Sequence, residues 1–149
     1  MKTRKVLLFA AVLAVLTVIA AMFHFTTRKA VAEGTLAMTV HGTEQTLDIS
    51  KFAYEQVTGI RVNGKGEEIP VDAPGVSLKQ VLSKAGVKVY EKVTVVSDDS
   101  YSAQVLKEEV EEGTRAFLIL GDENELRLVV FGDTNSKRSV SNVAQVVVE

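Results

Sequence analysis

The chain ends with Leu126-Arg127-Leu128-Val129-Val130-Phe131, a polar loop, and then Val143-Ala144-Gln145-Val146-Val147-Val148. Both stretches are rich in β-branched and apolar residues, which favour strands. We therefore predict the last two strands of a sheet at 126–131 and 143–148. The same criteria predict earlier strands at 36–40, 45–49, 57–62, 67–71, 92–97, 101–106 and 115–120.

Few helices interrupt these strands. Ser77 to Ala85 has a capping box of Ser77 with Gln80, an apolar face of Leu78, Val81 and Leu82, and Gly86 as a stop. Ser50 to Gln56 is predicted as a short helix, and Glu108 to Glu112 as an acidic helix or turn closed by Gly113. Pro70 and Pro74 are predicted to bracket a loop, since proline is excluded from central strands. We expect an α+β fold with a mixed, largely antiparallel sheet and one or two short helices.

The N-terminus predicts export. The first five residues include the basic Lys2, Arg4 and Lys5, and they precede an apolar run from Val6 to Phe25, which as a helix would span roughly 30 Å. Ala30-Val31-Ala32 offers a signal-peptidase site, so the run is either an uncleaved membrane anchor or a cleaved signal peptide. Residues 1–32 are therefore predicted as anchor or signal with linker, and 33–149 as the exported domain. Its C-terminal part would lie outside the cell membrane, or be secreted or periplasmic after cleavage.

Charge and composition exclude several functions. Residues 33–149 carry 12 basic and 19 acidic residues, a net charge of −7, which disfavours nucleic-acid binding. The chain contains no cysteine, so disulfides, thiolate metal sites and cysteine nucleophiles are excluded. His41 is the only histidine after the apolar run, which excludes a site built from several histidines in one chain.

Other polar residues have simple structural interpretations. Asp98 and Asp99 are candidates for calcium or paired carboxylates, but a capped turn explains them more simply. The run from Asp122 to Glu125 lacks the glycine of a calcium loop. The acidic run 108–112 is predicted to be a solvated face.

Several segments between Leu36 and Val148 resemble the oxidoreductase molybdopterin-binding domain, the fold of sulfite oxidase and eukaryotic nitrate reductase. The family pattern G-V-x-L-x-x-L-L-x-x-A-G-V is matched closely by Gly75 to Val87. Asp98 to Tyr101 follows a strand as D-G-Y does in the family, and Arg127 stands at the arginine of P-L-R-L-V. The order and spacing of these segments carry the resemblance.

The resemblance implies a sulfite-oxidase-like scaffold and, as a cofactor, molybdopterin. By the same resemblance, Arg127, Lys137 and Arg138 would face the pterin phosphate and Tyr101 would line the pocket. Read from the residues alone, Arg127 alternates with inward-facing leucines and would then point to solvent, and Tyr101 would pack in the core. No residue is predicted to be catalytic or to bind a metal.

The departures from the family lie on the cofactor side. The family holds molybdenum through one cysteine thiolate, which this chain lacks, and Glu123 to Glu125 replaces a longer segment before the arginine strand. We therefore expect a membrane-tethered binding or accessory module without molybdenum redox activity. It would serve a small anionic ligand or a membrane redox partner. The alternatives are a pterin-binding oxidoreductase or electron-transfer subunit and a structural or interaction domain at the cell surface.

Overall fold

The computed structural model describes residues 3–4, 6–7, 10–18 and 34–149. The described residues before position 19 are helical, and none of the described helices has both the length and the apolar character needed to cross a bilayer. The predicted segment from Val6 to Phe25 lies partly outside the described residues, and Ala30 to Ala32 lies wholly outside them. Anchor and signal peptide both stay predictions.

Nine strands and two α-helices follow in the described range 34–149. Their order is β1 (Thr35–Val40), β2 (Thr43–Asp48), β3 (Glu55–Val62), β4 (Glu68–Ser77), α1 (Leu78–Lys84), β5 (Lys92–Ser97), β6 (Ser102–Leu106), α2 (Lys107–Glu111), β7 (Ala116–Leu120), β8 (Leu126–Val130) and β9 (Val143–Val148). A 3₁₀ turn, Ile49–Lys51, lies between β2 and β3.

The strands form two sheets rather than one. The five-stranded sheet has the order β2-β1-β9-β5-β6, and the four-stranded sheet has the order β3-β4-β7-β8. Neighbouring strands are antiparallel except for β1 and β9, the first and last strands, which run parallel. The predicted α+β class with a mixed, largely antiparallel arrangement is confirmed.

Helix α1 follows its prediction closely. The Ser77 hydroxyl accepts a hydrogen bond from the Gln80 backbone, and the Gln80 side chain accepts one from the Ser77 backbone. Leu78, Val81 and Leu82 are at most 2% exposed. Gly86 follows with φ of +76°, a conformation that L side chains rarely adopt, so the helix ends there.

The predicted helix at Ser50 to Gln56 was wrong beyond its first turn. Asp48 caps the 3₁₀ turn by accepting a hydrogen bond from the Ser50 backbone N–H. Phe52 then becomes extended, with φ of −70° and ψ of 142°, and its side chain is buried in the core. Burial of this aromatic ring outweighs the weak local preference for a short helix.

The predicted loop around Pro70 and Pro74 was also wrong, because both prolines lie inside β4. They pair with Ile60 and Gln56 of β3, whereas β7 joins β4 only from Gly75 onward. An antiparallel strand bonds its neighbour through alternate residues. Because Pro70 and Pro74 are an even number of residues apart, their backbone nitrogens point to the same side of β4. That side can be the one without a neighbouring strand, where no N–H donor is required.

The main core lies between the two sheets. It combines Leu36, Val95 and Val146 of the five-stranded sheet with Leu118 and Leu128 of the four-stranded sheet, all of them fully buried. The apolar face of α1 and Val110 of α2 complete it.

A second core lies on the opposite face of the four-stranded sheet. Val57, Val71, Ile119 and Val129 form it, with Ala73, Phe117 and Phe131 packed around them. The β3–β4 hairpin contributes Val57 and Val71, so the sheet must curl for its hairpin to cover the outer face of β7 and β8.

Two glycines allow this curl. A Cβ at Gly75 would lie 2.9–3.0 Å from Ile119, Leu118 and Val57, where β4 passes from one core to the other. A Cβ at Gly59 would lie 2.5 Å from the Phe131 ring, although Gly59 and Phe131 belong to opposite ends of the sheet order. The outer faces of β3 and β8 are thus brought together.

Candidate functional site

The structure brings together three of the four predicted site residues. Tyr101, after the β5–β6 turn, donates its phenolic hydrogen to the backbone oxygen of Lys137. Its side chain is 47% exposed, so the alternative of core packing does not apply. Asp99 shapes this turn by accepting a hydrogen bond from the Tyr101 backbone, which agrees with the capped-turn interpretation. The Lys137 side chain is exposed and makes no ion pair with any described residue.

Arg138 is bound by two carboxylates. Its Nη1 and Nη2 donate to the two oxygens of Glu109 at 2.6 and 2.8 Å. Its Nε and Nη2 donate to the two oxygens of Asp133 at 2.8 and 2.6 Å. A fifth contact joins Nη1 to the backbone oxygen of Gln104 at 3.4 Å. Both carboxylate pairs are bidentate, the geometry in which a guanidinium binds most strongly.

Arg115 completes a four-residue network of Glu109, Arg115, Asp133 and Arg138. Its Nη1 lies 3.4 Å from Glu109 and its Nη2 lies 3.7 Å from Asp133. The side chains of the two acids are only 15% and 16% exposed. Hydrogen bonds from Arg138 lower the pKa of Glu109, and those to Asp133 and Glu109 raise the pKa of Arg138.

The network leaves Arg138 unsuited to a pterin phosphate. A guanidinium has five N–H donors, and the five contacts of Arg138 use all of them. Two arginines and two carboxylates also sum to zero charge. A phosphate at this position would have to displace a carboxylate, so the residues around Arg138 do not fit that group.

The acidic run was predicted to be a solvated face, and Glu109 departs from that prediction because it is half-buried. Glu109 belongs to the network, and Glu111 accepts a hydrogen bond from the Tyr90 hydroxyl at 2.6 Å. Glu108, Glu111 and Glu112 are exposed, as predicted. Arg138, which binds Glu109, comes from a distant segment of the chain.

Arg127 lies apart from the network. Leu126 and Leu128 on either side of it are buried in the main core, so Arg127 is on the outer face of β8, as predicted from alternation. That face carries the second core, and Arg127 is therefore half-buried. Arg61 of β3 is also half-buried, and its pKa is lowered by burial first and then by the charge of Arg127.

The remaining polar groups have structural roles. His41 Nε2 lies 2.8 Å from the backbone oxygen of Val89. The turn before β8 is closed by Glu125, whose carboxylate accepts a hydrogen bond from the Glu123 backbone. No cluster of three or more histidine and acidic side chains suited to a metal ion occurs among the described residues.

A shallow open groove of about 310 Å³ lies beside α1. It contains none of the predicted site residues. Its lining is Lys51, Phe52, Ala53, Val76, Gln80, Ser83 and Lys84. The Lys84 ammonium donates to the Lys51 backbone oxygen and lies 5.9 Å from the Phe52 ring centre, so this cation is already engaged.

Comparison with known proteins gives no further assignment: neither a family model nor a curated protein matches this chain.

Three residues of the network and Arg61 were not predicted as site residues. Arg61 had one usable signal, because alternation in Val57-Thr58-Gly59-Ile60-Arg61 places it on the face of Val57. A charged residue at the end of an apolar face is unusual. The carboxylate partners of Arg138 had no such signal, since nothing local connects Glu109 with Asp133.

Proposed function

We propose that this protein is an exported, membrane-tethered module with a molybdopterin-binding-like fold and no molybdenum redox activity of its own. It acts as a binding or accessory domain for a small ligand or a membrane redox partner. The observation that carries this proposal is the saturated guanidinium of Arg138. The loop to which the resemblance assigns the cofactor phosphate is neutralised by Glu109 and Asp133.

The donor set supports the same proposal. High-valent molybdenum in the resembled family is held by a thiolate, and this chain has no cysteine. Carboxylates and one histidine do not replace a soft sulfur ligand. The domain would therefore contribute binding or positioning, while any electron transfer would take place on a partner.

Metal and pterin analysis tests the proposal. The full chain is produced in cells that synthesise molybdopterin, purified in neutral detergent, and analysed for molybdenum by mass spectrometry and for pterin by fluorescence after oxidation. Both are expected at the background level of an unrelated membrane protein purified in parallel. Stoichiometric molybdenum or pterin would overturn the proposal.

Pterin binding without catalysis is the second candidate. Arg127 and Lys137 favour it, because neither side chain has an acidic partner among the described residues. If pterin is recovered, the Arg127→Gln and Lys137→Gln variants must both lose it, whereas retention in both would exclude these residues as its site.

A further inference from the structure

The two sheets have four edge strands among the described residues, and two of these edges are blocked. The edges are β2 and β6 in the five-stranded sheet and β3 and β8 in the four-stranded sheet. At β6, Arg138 donates to the Gln104 backbone oxygen, and the Glu109 carboxylate accepts from the Leu106 backbone N–H. At β8, the strand backbone exchanges two hydrogen bonds with Val140. A further strand cannot pair with these edges without displacing such contacts.

Strand β3 presents a free edge along its length. It has eight residues, and among the described strands it pairs with β4 alone. The ladder between them is closed at the turn, where the Asn63 backbone N–H donates to the Glu67 oxygen. An antiparallel ladder bonds alternate residues, so those at an odd number of positions from Asn63 direct their backbone groups away from β4. These outward residues are Gln56, Thr58, Ile60 and Val62.

The prolines of β4 support this assignment of the outward residues. Pro70 and Pro74 lie opposite Ile60 and Gln56. Because proline has no N–H, these two pairs cannot be the bonded pairs of the ladder. The outward residues are also open to solvent, since Gln56 and Thr58 are exposed and Ile60 is 57% exposed. A row of free N–H and C=O groups on an exposed strand is a template for pairing with another strand.

The remaining edge, β2, is less suited to pairing with a copy of itself. Glu44 and Asp48 are exposed, and the strand contains no basic residue. A second copy of β2 would add two more acids and no counter-charge. Like charges on an edge strand oppose pairing.

The charges of β3, in contrast, fit a second copy of the same strand. Glu55 and Arg61 lie on one face, three positions on either side of Thr58. Neither forms an ion pair with a residue in the range 34–149. If two β3 strands pair antiparallel about a two-fold axis at Thr58, each Glu55 lies opposite the Arg61 of the other copy. Opposite charges and facing threonines are favourable cross-strand neighbours.

We propose that β3 is a dimerisation strand, through which two copies of this chain join their four-stranded sheets into one sheet of eight strands. The register is centred on Thr58, because outward residues then meet outward residues and both charges gain an opposite partner. A shift by two residues in either direction would leave Glu55 and Arg61 facing uncharged residues. The inference goes beyond the function proposed above, since it stands whichever ligand or redox partner the domain serves.

Disulfide formation tests the pairing, because the chain contains no cysteine of its own. In the proposed register the two copies of Thr58 have Cα atoms about 5.5 Å apart, a separation that a disulfide bridges. Thr58→Cys in the full chain, in neutral detergent, is therefore expected to form a covalent dimer on mild oxidation, seen by non-reducing electrophoresis.

Two exposed positions serve as controls for this disulfide. Ile60→Cys lies on the same edge, but its two copies would be about 14 Å apart along the strands. Thr46→Cys lies on the other free edge, β2. Both are expected to stay monomeric. Cross-linking of Thr58→Cys no faster than that of Thr46→Cys would overturn the proposal, and preferential cross-linking of Ile60→Cys would overturn its register.

Charge reversal tests the same interface without a covalent bond. Arg61→Glu and Glu55→Arg each place like charges opposite one another, so each is expected to raise the dimer Kd by about tenfold or more in analytical ultracentrifugation. The double variant exchanges the two charges and is expected to recover dimerisation, which a misfolded protein would not do. A monomeric wild-type chain, a dimer that neither single substitution weakens, or a double variant no better than the single ones would each refute the dimerisation strand.

Discussion

Arg127 and Arg138 show how far the surroundings decide what an arginine does. Both were predicted to face an anion, and they end in opposite environments. Arg138 forms ion pairs with Glu109 and Asp133, so its positive charge is neutralised within the protein. Arg127 makes no ion pair with any residue in the range 34–149, so no carboxylate neutralises its charge.

At this scale we predict that Glu109→Gln destabilises the domain at neutral pH. Arg138 and Arg115 would lose one carboxylate, leaving Asp133 alone between two cations. Loss of one partner of a fully buried pair costs about 3–5 kcal/mol. Because these side chains are 15–30% exposed, we discount this to about 1–3 kcal/mol, measured by urea unfolding at pH 7. The control Lys79→Gln removes a bridge whose side chains are 53% and 46% exposed, and it should cost less than about 1 kcal/mol.

The same substitution changes the dependence of stability on pH. The pKa of Glu109 is lowered in the folded protein from its ordinary value of 4.5. Its carboxylate therefore contributes stability above pH 4.5, and this contribution is lost as the pH falls through the folded pKa. Wild-type protein should lose more stability than Glu109→Gln across that acid range. Parallel losses in the two proteins would contradict the role of this carboxylate.

At the scale of elements, the β3–β4 hairpin is the part that makes the fold unusual. One end of β4 belongs to the main core through Val76, and the other end belongs to the second core through Val71. The strand can serve both because Gly75 allows the close approach to β7 and because β7 does not pair with the part of β4 that contains the prolines.

We predict that Gly59→Ala weakens the packing of this hairpin. The new Cβ would meet the Phe131 ring at 2.5 Å, so the ring must move out of the second core. Such overpacking costs about 1–3 kcal/mol, read as a lower urea midpoint. Gly64→Ala, in the same hairpin, is the matched control, because its Cβ would approach no atom closer than 3.9 Å. It should change stability by less than about 0.5 kcal/mol.

A second substitution checks the cause. Replacing Phe131 by Leu in the Gly59→Ala background removes the clashing ring and should recover part of the lost stability. If Gly59→Ala and Gly64→Ala behave alike, the hairpin does not cover the outer face of β8 as described.

At the scale of the whole molecule, the first and last strands are neighbours. β9 is the central strand of the five-stranded sheet, with parallel β1 on one side and antiparallel β5 on the other. The main core is therefore incomplete until the C-terminal residues are in place, because Val143, Val146 and Val148 belong to it.

We predict that the full chain partitions with membranes through the apolar run from Val6 to Phe25. Cell fractionation measures this, and the intact mass of the mature protein distinguishes the two forms. An uncleaved anchor retains Met1, whereas cleavage after Ala32 leaves a chain that begins at Glu33. Replacing Leu13 and Leu16 by Lys should release the protein from membranes, whereas replacing the exposed Lys65 and Lys88 by Gln should not. Full-length protein in the cytosolic fraction would exclude both forms.

Local signals in the sequence determined much of this protein. The capping box and apolar face placed α1, and alternation placed Arg127 on the face opposite Leu126 and Leu128. These features depend on residues within a few positions of one another, so hydrogen bonding and periodicity decide them. The absence of cysteine likewise excluded thiolate chemistry without any structure.

Only the tertiary structure decided the rest. Phe52 is extended rather than helical because its ring is buried in the core. Pro70 and Pro74 can be strand residues because β7 does not pair with that part of β4. The ion pair of Arg138 with Glu109 joins segments far apart in the chain. Such contacts follow from how the two sheets pack and how the second one curls, and no local pattern of residues carries that information.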